Sequence, residues 1–421
     1  LRNKVLAALS AGAMLLSVVS PVLAAETTLE ISGNGSDSDS TINLGQSNTT
    51  AVVQSNNANV TNDVVANADS GHNDANRNTG GDVTVDTGDA KTDVKVSNSL
   101  NSNTASVDCC GANDTSVLIS GNGDHSDNDV NLTESSKTEV YQDNKAYVKN
   151  DIDADANSGK NDANRNTGGS VEVSTGDATA NVDVSTTANA NWAKVGGDGS
   201  SSLVDVRILG NGADSDNTVN LGLANSTILR QDNSAYVKNY IDADADSGHN
   251  DANRNTGGDV LIDTGDATAD VEVDNMVNFN WASVDCGCLL DVLAKIAGNG
   301  DHSDNDINAS LDNSLEVFQD NCGKRDHEWG DWGWRHRKGC KLDNDVYADA
   351  DSGENDANRN TGSPAGGDPS VITGDADTFV DVSNSGNSNA YGADPDFEWP
   401  AFDFNFNFSF DLSDLLALLG H

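Results

Sequence analysis

The chain has 421 residues, of which 68 are Asp or Glu and only 23 are Lys or Arg, so its formal net charge at pH 7 is −45. A field of this sign repels nucleic acids and anionic lipid surfaces, and it attracts divalent cations. The composition therefore excludes nucleic acid as a general partner and makes calcium the candidate metal.

The N-terminal segment has the three parts of a secretory signal peptide. Arg2 and Lys4 supply the basic part, residues 5–19 the apolar run, and residues 22–24 a small-residue cleavage site. We predict that residues 1–24 are removed and that the mature chain is extracellular or attached to the cell surface. No later stretch reaches the roughly 20 apolar residues of a membrane span, so none is predicted.

An eight-residue motif, NDANRNTG, occurs four times and divides the rest of the chain into repeats. It begins at Asn73, Asn161, Asn250 and Asn355. Each copy follows a GNG motif, and successive GNG motifs are 88, 89 and 88 residues apart. Such a period predicts stacked or serially linked structural units. The predicted units are a signal peptide (1–24), four repeats (25–110, 111–200, 201–288 and 289–392) and a C-terminal tail (393–421).

Small residues alternate with polar ones for long stretches within each repeat. In the third repeat, every second position belongs to one face: Ala235, Val237, Asn239, Ile241, Ala243 and Ala245. A second run of this kind, from Ala267 to Val277, follows the TGDA motif at residues 264–267. A period of two residues predicts β-strands and excludes helices. The fold class is therefore all-β.

Two β architectures fit these repeats. The Ala, Val and Asn side chains of the inward face are too small for an ordinary sandwich core and suit the narrow interior of a β-solenoid, where stacked Asn side chains form ladders. We expect a solenoid rod of four repeats of about 88 residues, with each repeat divided into about four coils of about 22 residues. The alternative is a string of four β-sandwich domains.

One strand of each repeat resembles a known family of fibre proteins. Segments 54–62, 142–150 and 231–239 share the pattern Gln, Asn, Ala, Val and Asn at alternate positions. This pattern resembles that of the curlin repeats, which are subunits of bacterial amyloid fibres. The resemblance implies a secreted, Asn-laddered building block of a fibre or matrix.

Acidic turns in each repeat are candidates for calcium binding. In the third and fourth repeats the candidate ligands are Asp242, Asp244, Asp246, Asn250, Asp251, Asp301, Asp304 and Asp306. Their oxygen density and nearby glycines are typical of calcium loops, although the spacing is not that of an EF-hand. The alternative is a solvated acidic surface. For the single arginine of each motif we expect a structural role, in which the guanidinium satisfies nearby carboxylates or turn carbonyls.

An insertion of about 17 residues distinguishes the fourth repeat. It is bracketed by Cys322 and Cys340, which in an exported protein predict a disulfide. The residues with the strongest binding potential in this loop are Trp329, Trp332, Trp334, Arg335 and Arg337. They predict a contact with a surface glycan or protein. The pairing of Cys109, Cys110, Cys286 and Cys288 stays open among local, vicinal and intermolecular disulfides.

The C-terminal tail contains an alternating aromatic strand. Its aromatic positions are Phe402, Phe404, Phe406, Phe408 and Phe410. Such a strand can cap the end of its own solenoid or join another molecule by strand addition. We expect the second role, in which the tail links subunits into a polymer.

The sequence contains no catalytic signature such as a nucleophile elbow, a zinc motif or a phosphate loop. We therefore predict that the protein is not an enzyme; the enzymatic alternative is an extracellular polysaccharide lyase or hydrolase. The expected function is that of a structural subunit of an extracellular fibre, sheath or surface layer, stabilised by calcium. The alternative is an adhesin or carbohydrate-binding stalk that presents the Trp-rich loop.

Overall fold

The computed structural model of the chain describes residues 3–8, 14–19, 27–107, 114–196, 203–285, 291–322, 340–362 and 368–392, with only the backbone described before residue 27. Within these ranges the chain forms strands and turns and contains no helix. None of the described segments therefore provides a helix long and apolar enough to cross a membrane.

Each repeat contributes a short strand, a very long strand, a second short strand and a long returning strand. The first repeat has β3 (Thr27–Ser32), β4 (Asp39–Asp69), β5 (Val83–Asp86) and β6 (Ala90–Val107). The second has β7 (Thr115–Ser120), β8 (Asp127–Asn157), β9 (Val171–Ser174) and β10 (Ala178–Gly196). The third has β11 (Leu203–Leu209), β12 (Asp216–Asp246), β13 (Val260–Asp263) and β14 (Ala267–Asp285). In the fourth, the insertion divides the very long strand, giving β15 (Asp291–Ala297), β16 (Asp304–Asn321), β17 (Lys341–Asp351), β18 (Ser370–Ile372) and β19 (Ala376–Tyr391).

Equivalent strands of successive repeats pair in parallel, and this pairing defines a β-solenoid. In the longest sheet, β8 lies between β4 and β12 with Asn150 opposite both Asn62 and Asn239. The short strands and the returning strands form parallel sheets with the same order of repeats. The predicted all-β solenoid of four repeats is confirmed, and the alternative of four separate sandwiches is wrong because every sheet contains strands from all four repeats.

The expected subdivision of each repeat into four coils is wrong. Paired residues are 88 or 89 residues apart in the first three repeats, so one whole repeat makes one coil. The reason is that the polar stretch in the middle of β12 does not turn the chain, and the strand continues for 31 residues. At about 3.3 Å per residue such a strand would span about 100 Å if straight, whereas four coils stacked about 4.8 Å apart rise only about 14 Å.

Each coil is a flat loop whose two long sides pack face to face. Ile241 and Ala243 of β12 pack in the same buried cluster as Val271 and Val273 of β14. The short strand β11 covers the beginning of β12, and β13 packs against Ala252 of the NDANRNTG turn. The interior is therefore narrow and filled by small side chains, as the alternation predicts.

The inward amides form hydrogen-bonded ladders along the stack. Asn62 donates to Asn150 at 2.7 Å, Asn150 to Asn239 at 2.6 Å and Asn239 to Asn344 at 2.6 Å. These hydrogen bonds confirm the predicted Asn ladders. Each rung joins two different repeats, because one whole repeat forms one coil. Asn62, Asn150 and Asn239 are buried, so the rungs between them satisfy polar groups that would otherwise be costly to remove from water.

A column of asparagines with left-handed backbone interrupts the returning strands. We use the word column for equivalent residues in successive coils; this one has φ angles of 57° to 63° and consists of Asn101, Asn189, Asn278 and Asn387. Before it, Val277 faces the interior; after it, the inward positions shift by one residue to Asn280 and Ala282. Asn tolerates this conformation well, so the column acts as a built-in bulge.

Glycine at one turn permits close approach between coils. A Cβ atom on Gly159 would lie 2.0 Å from the carbonyl oxygen of Gly248, and one on Gly248 would lie 2.1 Å from that of Gly353. Backbone atoms cannot yield to such a contact. The Ser-Gly step before each NDANRNTG motif therefore sets the spacing of the coils at this turn.

Two strands lie within the predicted signal peptide. β1 (Asn3–Ala8) and β2 (Met14–Val19) pair in parallel with β6, with Asn3 opposite Thr92 and Met14 opposite Ser102. These partners are 89 and 88 residues apart, which is the period of the repeats. The backbone of this segment thus occupies the place that the returning strand of a preceding coil would take.

We predict that Asn150→Ala lowers the free energy of unfolding by about 2–4 kcal/mol, because it removes the buried hydrogen bonds of Asn150 with Asn62, Asn98 and Asn239 and leaves a small cavity. Urea denaturation followed by circular dichroism measures the change. The control is Asn131→Ala, which removes a rung with Asn43 and Asn220 on the exposed face and is expected to change stability by less than about 0.5 kcal/mol. Equal losses in both variants would contradict a special contribution of the buried ladder.

Candidate assembly and binding surfaces

The fourth coil ends the described stack with an open face. Within the described residues, β15, β16, β17, β18 and β19 each have a strand neighbour on one side only. Inward side chains that are fully buried in the third coil are uncovered here: Val380 and Val382 are 44% and 38% exposed, against 0% for the equivalent Val271 and Val273. This face combines free backbone groups with core-type apolar side chains, which is the composition of an adhesive sheet edge.

The glutamine ladder also ends at this face with a defined polarity. Gln142 donates to Gln54 at 2.7 Å, Gln231 to Gln142 at 2.8 Å and Gln319 to Gln231 at 2.7 Å. Every rung therefore donates toward the N-terminal coil. Among the described residues, no side-chain amide donates to Oε1 of Gln319, so a further rung could be added there.

The predicted disulfide between Cys322 and Cys340 is present, with its Cα atoms 4.8 Å apart. Asn321 is opposite Asn233 and Lys341 is opposite Tyr236, so the two cysteines take the places of Ser234 and Ala235. The disulfide therefore links β16 and β17 almost as a peptide bond would, and the long side of the fourth coil continues across the insertion.

Several predicted residues lie outside the described part of the chain. These are the loop residues Trp329, Trp332, Trp334, Arg335 and Arg337, the tail residues Phe402, Phe404, Phe406, Phe408 and Phe410, and the cysteines Cys109, Cys110, Cys286 and Cys288. Their assigned roles stay predictions.

The calcium candidates of the third coil fall into three different environments. Asp242 and Asp244 lie on the outward face of β12, opposite Asp153 and Asp155 of the second coil. Asp246 is buried and accepts hydrogen bonds from the turn and from other side chains, including Lys160 at 3.0 Å. Asn250 is part of a buried ladder, so its oxygen already accepts hydrogen bonds from Asn161.

The remaining calcium candidates also form columns. The backbone of Asp251 pairs in isolated β-bridges with Asp162 and Asp356 of the adjacent coils. In the sheet, Asp304 is opposite Asp216. Asp306 is opposite Thr218, and Asp301 is exposed beside His302. The structure thus distributes the eight residues over the strands and turns of the third and fourth coils and does not gather them around one point.

Two other groups bring three potential ligand atoms within 4.8 Å of one another in the described part of the chain. One consists of Asp124, His125 and Asp214, and the other of His249, Asp351 and Glu354. Neither contains a predicted calcium ligand. Both lie where turns of successive coils meet, and a single sequence could not reveal them without the register of the stack.

Stacked carboxylates alter the titration of the acidic columns. Burial raises the pKa of Asp244 from its ordinary value of 3.8, and the neighbouring Asp155, Asp246 and Asp349 raise it further, while Lys160 acts in the opposite direction. Burial likewise raises the pKa of Asp242, with contributions from Asp153 and Asp349. These groups therefore hold a proton more readily in the folded protein than in the unfolded chain.

The contacts expected of the motif arginines, with nearby carboxylates or turn carbonyls, are not found among the described residues. Their backbone is left-handed, with φ angles of 56° to 62°, and they form one exposed column: Arg77, Arg165, Arg254 and Arg359. Within the described residues, their guanidinium groups line an open groove and have no hydrogen bond or ion pair with a carboxylate. By contrast, Arg207 and Arg230 each pair with an aspartate two residues away.

The arginine column lines an open groove of about 800 Å³. Beside it runs a second column, consisting of Asn76, Asn164, Asn253 and Asn358. Comparison of the chain with protein-family models, curated proteins and solved structures finds no match. Function must therefore be inferred from these surfaces themselves.

We predict that the protein melts at a higher temperature at pH 5 than at pH 7 when divalent cations are removed with a chelator. Because the pKa of Asp242 and Asp244 is raised on folding, the folded state binds protons more tightly than the unfolded state. Stability is then gained as pH falls through the folded pKa toward 3.8 and lost as pH rises. Differential scanning calorimetry measures the midpoint.

In the same measurement, Asp244→Asn should raise the midpoint at pH 7 and reduce its dependence on pH. The control is Asp343→Asn, because a hydrogen bond from Lys341 lowers the pKa of Asp343 and its loss should not stabilise the fold. Calcium should raise the wild-type midpoint more than magnesium at equal ionic strength. An Asp244→Asn midpoint at or below that of the wild type at pH 7 would contradict carboxylate repulsion in this column.

Proposed function

We propose that this protein is a secreted structural subunit that stacks end to end into an extracellular fibre, sheath or surface layer. The observation that carries the proposal is the open face of the fourth coil, where Val380, Val382 and the unpaired sheet edges are left uncovered. Within the described residues nothing covers this face, and an uncovered sheet edge favours strand pairing with another chain.

The opposite end of the stack supports the same proposal. β6 accepts parallel strands at the period of the repeats, because β1 and β2 already pair with it at distances of 89 and 88 residues. Removal of residues 1–24, as predicted for a signal peptide, would free this edge for the returning strand of a second copy. The contact joins two different surfaces of the same molecule, and repeated head-to-tail contacts of this kind produce open filaments.

Calcium would serve this assembly by neutralising the acidic columns. Asp304, Asp216 and their equivalents repeat at the spacing of the coils on the outer surface, so a longer stack accumulates negative charge in proportion to its length. Divalent cations relieve such repulsion more effectively than monovalent ions at the same ionic strength. The curlin-like segments and the aromatic tail fit the same role, the tail as an additional joint between copies.

We predict that the pair Val380→Lys and Val382→Lys abolishes filaments, because it places two charges on the apolar face that must be buried at the joint. Negative-stain microscopy and light scattering of the chain lacking residues 1–24 measure assembly. The matched control is the pair Phe379→Lys and Ser383→Lys, which adds the same charges to the outward face of β19 and should leave filaments intact. Normal filaments from the first pair would place the joint elsewhere.

The C-terminal tail is tested in the same assay. Deletion of residues 395–421 should abolish or weaken assembly while leaving a soluble β-rich protein. Amorphous aggregation or unfolding of the truncated chain would instead identify the tail as a cap on its own coil.

A second candidate function, adhesion through the Trp-rich loop, is supported by the Cys322–Cys340 disulfide. By holding its ends 4.8 Å apart, the disulfide presents residues 323–339 without interrupting the long side of the coil. We predict that Trp332→Ala with Trp334→Ala reduces attachment to glycan-coated surfaces at least tenfold but leaves filaments unchanged. A glycan array measures attachment. Unchanged binding would contradict adhesion through this loop, and the structural role would then be the one proposed function.

A further inference from the structure

The column of motif arginines carries a function of its own, independent of end-to-end assembly. Four guanidinium groups, one from each coil, lie in a row along an exposed groove. Because coils are stacked about 4.8 Å apart, like charges recur at short intervals and repel one another. Such an arrangement weakens the free protein unless a ligand of opposite charge occupies it.

The backbone at these positions makes the choice of arginine more informative. Two other left-handed columns vary in residue type: one consists of His72, Lys160, His249 and Glu354, and another of Asp37, His125, Asp214 and His302. The motif column has arginine in all four coils, although asparagine or glycine would be less strained there. Its guanidinium groups have no partner among the described residues, so folding alone gives no reason for arginine.

The neighbouring asparagine column turns the groove into a surface of hydrogen-bond donors. The side-chain oxygens of Asn76, Asn164 and Asn253 each accept the backbone N–H of the asparagine in the next coil. The Nδ2 atoms of Asn164 and Asn253 each donate one hydrogen in a long hydrogen bond, 3.4 Å between nitrogen and oxygen, to an aspartate of the same turn. The other amide hydrogen remains available. Guanidinium and amide donors side by side are suited to anionic groups and hydroxyls.

We propose that this groove binds a linear acidic polysaccharide that carries one carboxylate on each sugar. A polyuronate carries a carboxylate on every sugar, so carboxylates on the side that faces the groove can pair with the guanidinium groups while its hydroxyls contact the amides. Single-stranded nucleic acid fits less well, because the described residues that line the groove are Asp, Asn and Arg and include no aromatic side chain on which bases could stack.

The overall negative charge does not prevent this contact. At physiological ionic strength the Debye length is about 8 Å, so carboxylates on distant faces are largely screened, whereas a bidentate guanidinium–carboxylate pair acts at hydrogen-bond distance. The aspartates at the edges of the groove, such as Asp74 and Asp356, restrict binding to a ligand that reaches the arginines directly. The site therefore favours a thin, regularly charged chain over bulky polyanions.

The test is isothermal titration of the full chain with sodium polygalacturonate in the presence of a chelator, with dextran and a single-stranded oligothymidylate as comparison ligands. We expect binding of polygalacturonate only. The double variant Arg165→Asn with Arg254→Asn should bind at least about tenfold more weakly, with a smaller dependence on salt. Because asparagine accepts the left-handed backbone, this variant should melt no lower than the wild type.

The matched control is Lys145→Gln with Arg207→Gln, which removes the same charge from exposed positions elsewhere and should leave the affinity unchanged. Failure of the wild type to bind polygalacturonate, or equal binding by the arginine variant, would overturn the proposal. Equal binding of oligothymidylate would overturn the assignment of the ligand class. Loss of filaments in the arginine variant without any polygalacturonate binding by the wild type would instead identify the groove as a contact between copies.

Discussion

The structure depends on one constraint: every backbone group of a coil must find its partner one repeat away. Between the first three repeats the hydrogen-bond register joins residues 88 or 89 positions apart along nearly the whole coil, including the turns. A residue type that suits the stack at one position is therefore needed at the same position in each repeat. The recurrence of Asn150 and its equivalents follows from this geometry, since a buried amide is best satisfied by an identical amide above and below.

The same constraint places identical charges next to each other in successive coils. Some of these charges are paired with an opposite charge, and others are not. Lys149 pairs with Asp151 two positions along its own strand, and Lys160 crosses to Asp246 of the next coil. Asp242 and Asp244 instead stand beside other carboxylates, and burial and repulsion raise the pKa of each. Columns without a compensating partner are thus places where protons, cations or an external ligand can bind with a gain in stability.

Much of this architecture could be predicted from the sequence. The alternation from Ala235 to Ala245 gave the correct inward face, and the small size of those residues indicated a narrow interior. The size of the coil could not be predicted, because the polar stretch around Asn225 reads equally well as a turn or as strand. The inward shift at Asn278 was hidden for a similar reason, since a left-handed Asn within a strand has no signature in the alternation before it.

The disulfide was predictable because Cys322 and Cys340 bracket a visible break in the period. The sequence could not predict that the motif arginines lack an aspartate partner. Whether a side chain reaches a nearby carboxylate depends on the local backbone conformation, which is left-handed at these positions.

The long interval between paired residues has a consequence for how the chain reaches this structure. No coil can complete its hydrogen bonds alone, so the first two repeats must meet before either gains stability, and closing a loop of this length costs about 4 kcal/mol in chain entropy on the logarithmic scaling. Folding should therefore have a slow nucleation step and high contact order. Once two coils are joined, each later repeat docks on a finished template and adds quickly. A chain of this kind stays unfolded until more than one repeat is available for pairing. Later repeats are then added to the folded coils in one direction along the stack.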